Sequence, residues 1–322
     1  MIKFGSIGTN FIVDEFVQTI KTIKEIDYAV CYSRKEETAN EFLKKNNLTT
    51  VQIITNLNDF VGKVDFVYVA SPNGLHFEQS KFLLENKINV IVEKPLTFTV
   101  AQALELKKLA NENNVFLFEA FKTKFVPNFF QIKKILESEI PNKVHFSMNQ
   151  YSSRMNDTQK GIFNSVFDAE LGKGSTYDML IYPVELAIAL FGKVKKIDYI
   201  YNQRLANGVA ISNIVVLIHE SGLVTTIDCS KNSHDIAPSQ IFFDKKTLVF
   251  DRLTRIENLT LHNYILRMGP IKFPDSEINS HMYYEFVEFL KIFNEKNVIE
   301  MNRILDEAID AIQILETVEN QK

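Results

Sequence analysis

The sequence predicts an α/β protein: an N-terminal doubly wound parallel sheet, followed by a C-terminal α+β domain on an open, largely antiparallel sheet. Three observations predict this. Across the first third, short β-branched or aromatic runs alternate with longer stretches of helical period. After about residue 120 strand-like runs instead follow one another across short turns. At 322 residues the chain is long enough for two cores.

In order, strand-like runs lie at Ile2 to Ile7, Tyr28 to Tyr32, Val51 to Ile54, Val64 to Ala70, Ile88 to Val92 and Val115 to Phe118, with helical stretches near 12 to 24, 35 to 46, 75 to 86 and 98 to 113. Strand then helix, repeated, demands parallel strands with right-handed crossovers and both sheet faces covered. Beyond it come a helix from Pro127 to Ser138, a strand from Lys143 to Tyr151, an irregular polar loop from Ser152 to Asn164 and a Gly-flanked helix from Ser175 to Phe191. Strand-like runs follow at Lys195 to Tyr201, Ala210 to His219, Leu223 to Cys229, Gln240 to Phe243 and Thr247 to Phe250. Helices from Ser280 to Glu295 and Asn302 to Val318 close the chain, with Ile304, Leu305, Ala308, Ala311, Ile312 and Leu315 recurring at three and four. The expected domains are 1–121 and 122–322, with terminal helices 280–318 packing back toward the first.

A net charge of -4, from 36 basic and 40 acidic residues, argues against a nucleic-acid or anionic-membrane partner and for a small molecule. The two cysteines, Cys31 and Cys229, both fall on strand-like segments, so no disulfide framework is expected, and no Cys/His pattern calls for a metal. MIKFGSIG begins folded structure at once, and the most apolar helical run, Met179 to Phe191, contains Glu185 and is shorter than a membrane span. The expected location is cytoplasmic.

The first strand-to-helix turn reads Gly5-Ser-Ile-Gly8-Thr9-Asn10-Phe11-Ile12-Val13. A dinucleotide fold needs a tight turn here, its N–H groups facing a pyrophosphate at the helix N-terminus. Gly8 fits the first glycine of that fingerprint. Asn10 stands at the second, where tolerance of a left-handed backbone is its expected use, and Val13 stands at the third. A glycine turn in any βα unit explains the pattern equally well. The second strand ends in Ser33-Arg34-Lys35 with no carboxylate before Glu36, a hydroxyl beside two cations that suits the 2′-phosphate of NADP over NAD. The alternative is a solvated helix start. The fourth run ends Ala70-Ser71-Pro72-Asn73, a ledge at the carboxyl edge of the sheet, followed by His76, which either faces the cofactor or sits in the first turn of the next helix. The fifth ends NVIVEKPLTF, where Glu93 and Lys94 leave a buried strand as a charged pair.

Three stretches in order, VDFVYVASPNGLH (64 to 76), NKINVIVEKPLT (86 to 97) and FEAFKTKFVP (118 to 127), resemble the Gfo/Idh/MocA oxidoreductases, and GKGSTYDMLIYPVELAIALFG (172 to 192) is similar to that family's glycine-rich turn and second-domain helix. The resemblance implies a Rossmann domain, an active site to which both domains contribute, and NADP or NAD as cofactor. It matches Lys94 to a catalytic lysine, Glu93 to a carboxylate near the nicotinamide ribose, and Asp178 and Tyr182 to the catalytic pair of the second domain. It also implies a homodimer or homotetramer through the C-terminal sheet. The expected cofactor contacts are Gly8, Thr9, Asn10, Phe11, Ile12, Ser33, Arg34, Ala70, Ser71, Pro72, Asn73, His76, Glu93 and Lys94.

Chemically the set is coherent. Asp178 and Tyr182, four apart, share a helix face. Hydride transfer from a carbinol needs a base for the hydroxyl proton and a donor for the developing alkoxide, and a phenol is basic enough only beside a cation such as a lysine ammonium. Singly, each residue has a plainer reading: a loop lysine, an amphipathic core tyrosine, a carboxylate complementing the helix dipole. The sequence departs from the family at Asn10, Val13, Lys173, Leu180 and Lys122 to Lys124, and Lys173 and Lys124 would add positive charge at a pocket mouth, which would suit an acidic or phosphorylated substrate. The function expected is hydride transfer at a secondary alcohol or hemiacetal of a sugar, polyol or cyclic diol. The alternatives are a non-catalytic nucleotide sensor and an enzyme of epimerisation or elimination that retains its cofactor.

Overall fold

The computed structural model describes residues 1–321 apart from 235, 266–268, 277 and 279. The chain divides into two units, Met1–Ala120 with Ser280–Asp306 and Phe121–Asn279 with Glu307–Lys322. In unit 1, β1 (Ile2–Ile7), β2 (Ile26–Tyr32), β3 (Gln52–Ile54), β4 (Phe66–Val69), β5 (Asn89–Glu93) and β6 (Leu117–Ala120) form a sheet in the order β3-β2-β1-β4-β5-β6. Every pairing is parallel. The crossovers contain α1 (Phe11–Ile20), α2 (Glu36–Lys45), α3 (His76–Glu85) and α4 (Val100–Asn113). Successive strands are added toward one edge from β1 to β3 and toward the other from β4 to β6, which places Gly8 and Ala70 at the switch point where such sheets bind ligands.

Unit 2 contains α5 (Pro127–Leu136), β7 (Lys143–Asn149), α6 (Met155–Gln159), a wide π-type turn at Thr176–Leu180, α7 (Ile181–Phe191), β8 (Val194–Arg204), β9 (Ala210–His219), β10 (Val224–Ser230), β11 (Ser239–Phe242), β12 (Lys246–Asp251), β13 (Glu257–Asn263) and β14 (Ile271–Lys272). Its sheet runs β14-β13-β12-β11-β7-β10-β9-β8, antiparallel except where β7 and β10 pair in parallel. The short β14 adds a strand the sequence did not suggest, and three further elements differ from the sequence expectation. Met155 and Thr158 are buried and draw the polar loop into the short α6. Strand β13 was hidden by its polar composition, ENLTLHN, and by the left-handed backbone of Arg252 and Ile256 just before it. The 175–191 helix opens with a π turn; Pro183 has no N–H to return to Met179, so the ladder is interrupted there and the preceding turn widens.

The chain ends in α8 (Met282–Asn294) and α9 (Val298–Asn320), the latter passing from unit 1 to unit 2 after Asp306. Within unit 1, α8 inserts Phe286 among Phe4, Phe16 and Tyr68, with centroids 5.4 to 6.2 Å away. Such an aromatic cluster fixes α8 by burial as well as ring geometry. Within unit 2, Phe146 of β7 meets Phe191 of α7 and Phe250 of β12. Cys31 and Cys229 are buried and unbridged. Among the described residues no helix is long and apolar enough to cross a membrane, and no group of three His, Cys, Asp or Glu could hold a metal ion.

Candidate active site

At the switch point of unit 1, Gly8 adopts φ 114°, and a Cβ there would lie 2.7 Å from the carbonyl oxygen of Ala70. Only glycine suits that position. Asn10 does not use a left-handed backbone: its φ is -83°. It is instead the N-cap of α1, its Oδ1 accepting from the N–H groups of Ile12 and Val13 and its Nδ2 donating to Ala70 O at 2.9 Å. Asn10 therefore ties β4 to α1 and fills two donors of the helix end. Among the described residues nothing accepts from the N–H groups of Thr9 and Phe11, and those remain for a phosphate. Phe11 stands exposed beside them.

Ser33 follows β2, its Oγ accepting from Lys35 N–H. Arg34 and Lys35 are exposed, no carboxylate pairs with either among the described residues, and α2 begins without a side-chain cap. An uncapped helix start flanked by two cations fits a phosphate monoester.

Ala70, Ser71, Pro72 and Asn73 leave β4 as expected, but His76 does not point outward. It is fully buried, with Nδ1 2.8 Å from Pro95 O and Nε2 3.0 Å from Ser71 O. Burial lowers its pKa, the two carbonyl contacts oppose that, and the charge of Lys94 adds to the lowering. A neutral imidazole donates its one N–H to one of these carbonyls, and with both ring nitrogens turned to the protein the ring is not presented to a ligand. Ser71 Oγ in turn donates to Gln79 at 2.7 Å.

Glu93 ends β5, and its carboxylate accepts from the hydroxyl of buried Tyr68 on β4. Burial and then the Glu93 charge push the Tyr68 phenol well up, so Tyr68 remains a donor. Lys94 follows on a cis bond to Pro95. The loop is fastened on its far side as well, because Glu119, buried on β6, accepts from Leu96 N–H at 2.7 Å. Neither Tyr68 nor Glu119 was singled out from sequence. The signal available was a charged residue inside the apolar run LFEAF, which is costly unless it has a partner.

In unit 2 the turn Gly172-Lys173-Gly174 precedes the π turn. A Cβ on Gly172 would meet Ser165 O at 2.2 Å and one on Gly174 would meet Ala210 O at 2.1 Å. Lys173 itself has φ 55°, a conformation easier for glycine, and its ammonium lies over the Tyr177 ring. Asn213 of β9 donates to Ser175 and accepts from Thr176, all three buried. Asp178 thus projects from a turn whose Ser175 and Thr176 side chains are tied to the sheet.

Asp178 is ion-paired with Lys231, which directly follows β10. Sequence reading missed Lys231, 53 positions away, because nothing local marks it. Tyr182 is half-buried on α7, its ring 5.7 Å from that of Phe121. The expectation for Lys124 is corrected. It is 4% exposed and bonded to Glu185 at 2.7 Å and Glu307 at 3.3 Å, so its charge is spent inside unit 2 and adds none to a pocket mouth. A long side chain beside one buried and one half-buried carboxylate is drawn inward.

A family model described as oxidoreductase family, NAD-binding Rossmann fold, matches residues 2–121, and the GFO/IDH/MocA C-terminal domain matches residues 131–249. The chain is 32% identical over 330 residues to a scyllo-inositol 2-dehydrogenase (NADP(+)) of Bacillus subtilis, covering 100% of this chain and 97% of that one. It is 34% identical over 298 residues to an uncharacterized oxidoreductase of Escherichia coli, YgjR, covering 92% and 89%. Among solved structures, the 3-ketoreductase KijD10 from Actinomadura kijaniata, in complex with NADP and TDP-benzene, aligns with a TM-score of 0.85 over 98% of this chain and 96% of that one, at 17% identity. That last likeness concerns the fold. With both halves matched in order and a relative covered end to end, the chain belongs to the Gfo/Idh/MocA family of oxidoreductases.

Proposed function

We propose that the protein is an NADP-dependent dehydrogenase or reductase acting on a secondary alcohol or hemiacetal carbon of a sugar, polyol or cyclic diol. The observation that carries this reading is the Lys94 loop: a lysine at the carboxyl end of a parallel strand, with Pro95 held by His76 and Leu96 by Glu119. A loop lysine with no task needs no such fastening.

NADP fits the residues present. Gly8 leaves space a side chain would fill, Thr9 and Phe11 offer backbone donors, and Ser33, Arg34 and Lys35 face no competing carboxylate among the described residues. The B. subtilis relative is named for NADP(+) as well. When bound, the nicotinamide supplies the hydride acceptor or donor. Lys94 donates to the reacting oxygen and stabilises negative charge there; Tyr182 takes up or returns the hydroxyl proton; Asp178 orients the substrate. Glu93, held by Tyr68, would accept from the hydroxyls of the nicotinamide ribose.

The test is separate titration of NADPH and NADH, followed by a screen of sugars and inositols with the preferred cofactor beside Lys94→Ala. Tighter NADPH binding with polyol turnover that Lys94→Ala abolishes is expected. Normal turnover by Lys94→Ala would falsify the mechanism. Exposed Tyr199, Tyr201 and Ile214 on β8 and β9 support a homodimer or homotetramer through the C-terminal sheet. Sedimentation of Tyr201→Glu beside the parent chain tests it. The two unbridged cysteines accord with a cytoplasmic location.

A further inference from the structure

The main chain of Lys231 is clamped on both sides. Its N–H donates to Ile211 O and its carbonyl accepts from Ser152 N–H, each at 2.8 Å. The side chain is 8% exposed, and its ammonium pairs with the Asp178 carboxylate, which is 34% exposed. The pair is therefore closed on the lysine side and open on the aspartate side. An ammonium has three N–H donors. Asp178 takes one, and among the described residues no other group accepts from Nζ. Cys229, two residues earlier, is no rival acceptor of charge, since burial raises its pKa far out of reach. Unfilled donors on a charge this deep are costly unless acceptors arrive from outside.

Charge decides what those acceptors are. Asp178 neutralises Lys231, so the pair has no net charge to offer a phosphate or carboxylate. Of the two lysines expected to serve an anion, Lys124 is taken by Glu185 and Glu307, and the ammonium of Lys173 lies over the Tyr177 ring. Hydroxyl oxygens fit: each accepts one N–H and can donate its own hydrogen to Asp178.

We propose, resting on the reading of the protein as a polyol or sugar oxidoreductase, that Lys231 is a substrate-binding residue. Its ammonium donates to a hydroxyl oxygen of a neutral polyol, and the Lys231–Asp178 pair selects such substrates over phosphorylated or acidic ones.

The test uses the full-length protein with NADP and a panel of scyllo-inositol, myo-inositol, D-xylose, D-glucose, glucose 6-phosphate and gluconate. For the best neutral substrate, K231M is expected to raise KM about ten- to a hundredfold, in line with loss of a charge-assisted hydrogen bond, while the NADPH Kd read by fluorescence changes less than about twofold. Should K231M not fold, K231R keeps the positive charge but redirects the donors, and the same split is expected. An unchanged KM, or an NADPH Kd that rises in step with it, overturns the role of Lys231. A wild-type kcat/KM higher for glucose 6-phosphate or gluconate than for every neutral member overturns the selectivity. In both of these results the oxidoreductase reading stands. If nothing in the panel turns over, that reading fails and the inference fails with it.

Discussion

The two units hold their reactive side chains by different means. In unit 1 the holding groups mostly grip backbone: His76 between the carbonyls of Pro95 and Ser71, Glu119 on Leu96 N–H, Asn10 on the start of α1 and on Ala70 O. In unit 2 they grip charge: Lys231 on Asp178, and Lys124 on Glu185 and Glu307. Ends of parallel strands already lie in register, so a few hydrogen bonds fix the loops that leave them. A widened helical turn gives its side chains no such register, and an opposing charge supplies the direction instead. Variants in unit 1 should therefore act through chemistry or loop position, and charge-removing variants in unit 2 through stability and orientation.

The largest effect is expected at the chemistry itself. Lys94→Ala should lower kcat by about 10²- to 10⁴-fold, with NADPH binding and thermal midpoint near those of the parent chain. A comparable loss of stability would mean that Lys94 is a structural residue. Next is a contrast in stability. Lys124→Met removes the ammonium that faces buried Glu185 and should cost about 3–5 kcal/mol in denaturant unfolding. Glu119→Gln keeps an acceptor for Leu96 N–H and should cost about 1 kcal/mol or less. Equal costs would erase the distinction between the units.

Arg34→Ala then probes the cofactor end. Losing one charge-assisted contact should weaken NADPH binding about tenfold and leave NADH binding unchanged, a ratio read directly by fluorescence titration. If both cofactors weaken alike, Arg34 does not read the 2′-phosphate.

The strands and helices of unit 1 were legible because each follows from local periodicity, and Gly8, Glu93 and Lys94 stand where strand ends are visible in sequence. The glycine turn before Asp178 was legible through its resemblance to the family's motif. What holds these residues was not. Glu119 is 23 positions from Leu96, and Lys231 is 53 from Asp178. Those meetings depend on which strands become neighbours: β5 beside β6 in one sheet, and in the other β10 between β7 and β9. Asn10 shows a subtler limit. Its residue type allows two uses, a left-handed turn or an N-cap, and only the backbone angle decides between them. Lys124 shows another: a lysine reads as exposed until two distant carboxylates are found beside it.

The smallest expected effect separates the units by acid. His76 in unit 1 and His219 in unit 2 both have pKa values lowered first of all by burial. His219 holds Gly192 O at 2.9 Å and Thr225 Oγ1 at 3.0 Å. In the unfolded chain each histidine titrates near its ordinary value of 6.5. Below that pH the unfolded state binds the proton and the folded state does not, so stability is full above about pH 6.5 and declines as pH falls toward each folded pKa. Each histidine can contribute a slope of no more than one proton. His76→Gln should flatten the decline in denaturant midpoint below about pH 6.5, and His219→Gln should remove a separate share. Because His76 also fixes Pro95, its variant alone should lower kcat at pH 7.5, where neither histidine is charged. A kcat loss of the same size in His219→Gln would show that stability, rather than the position of the Lys94 loop, was being measured.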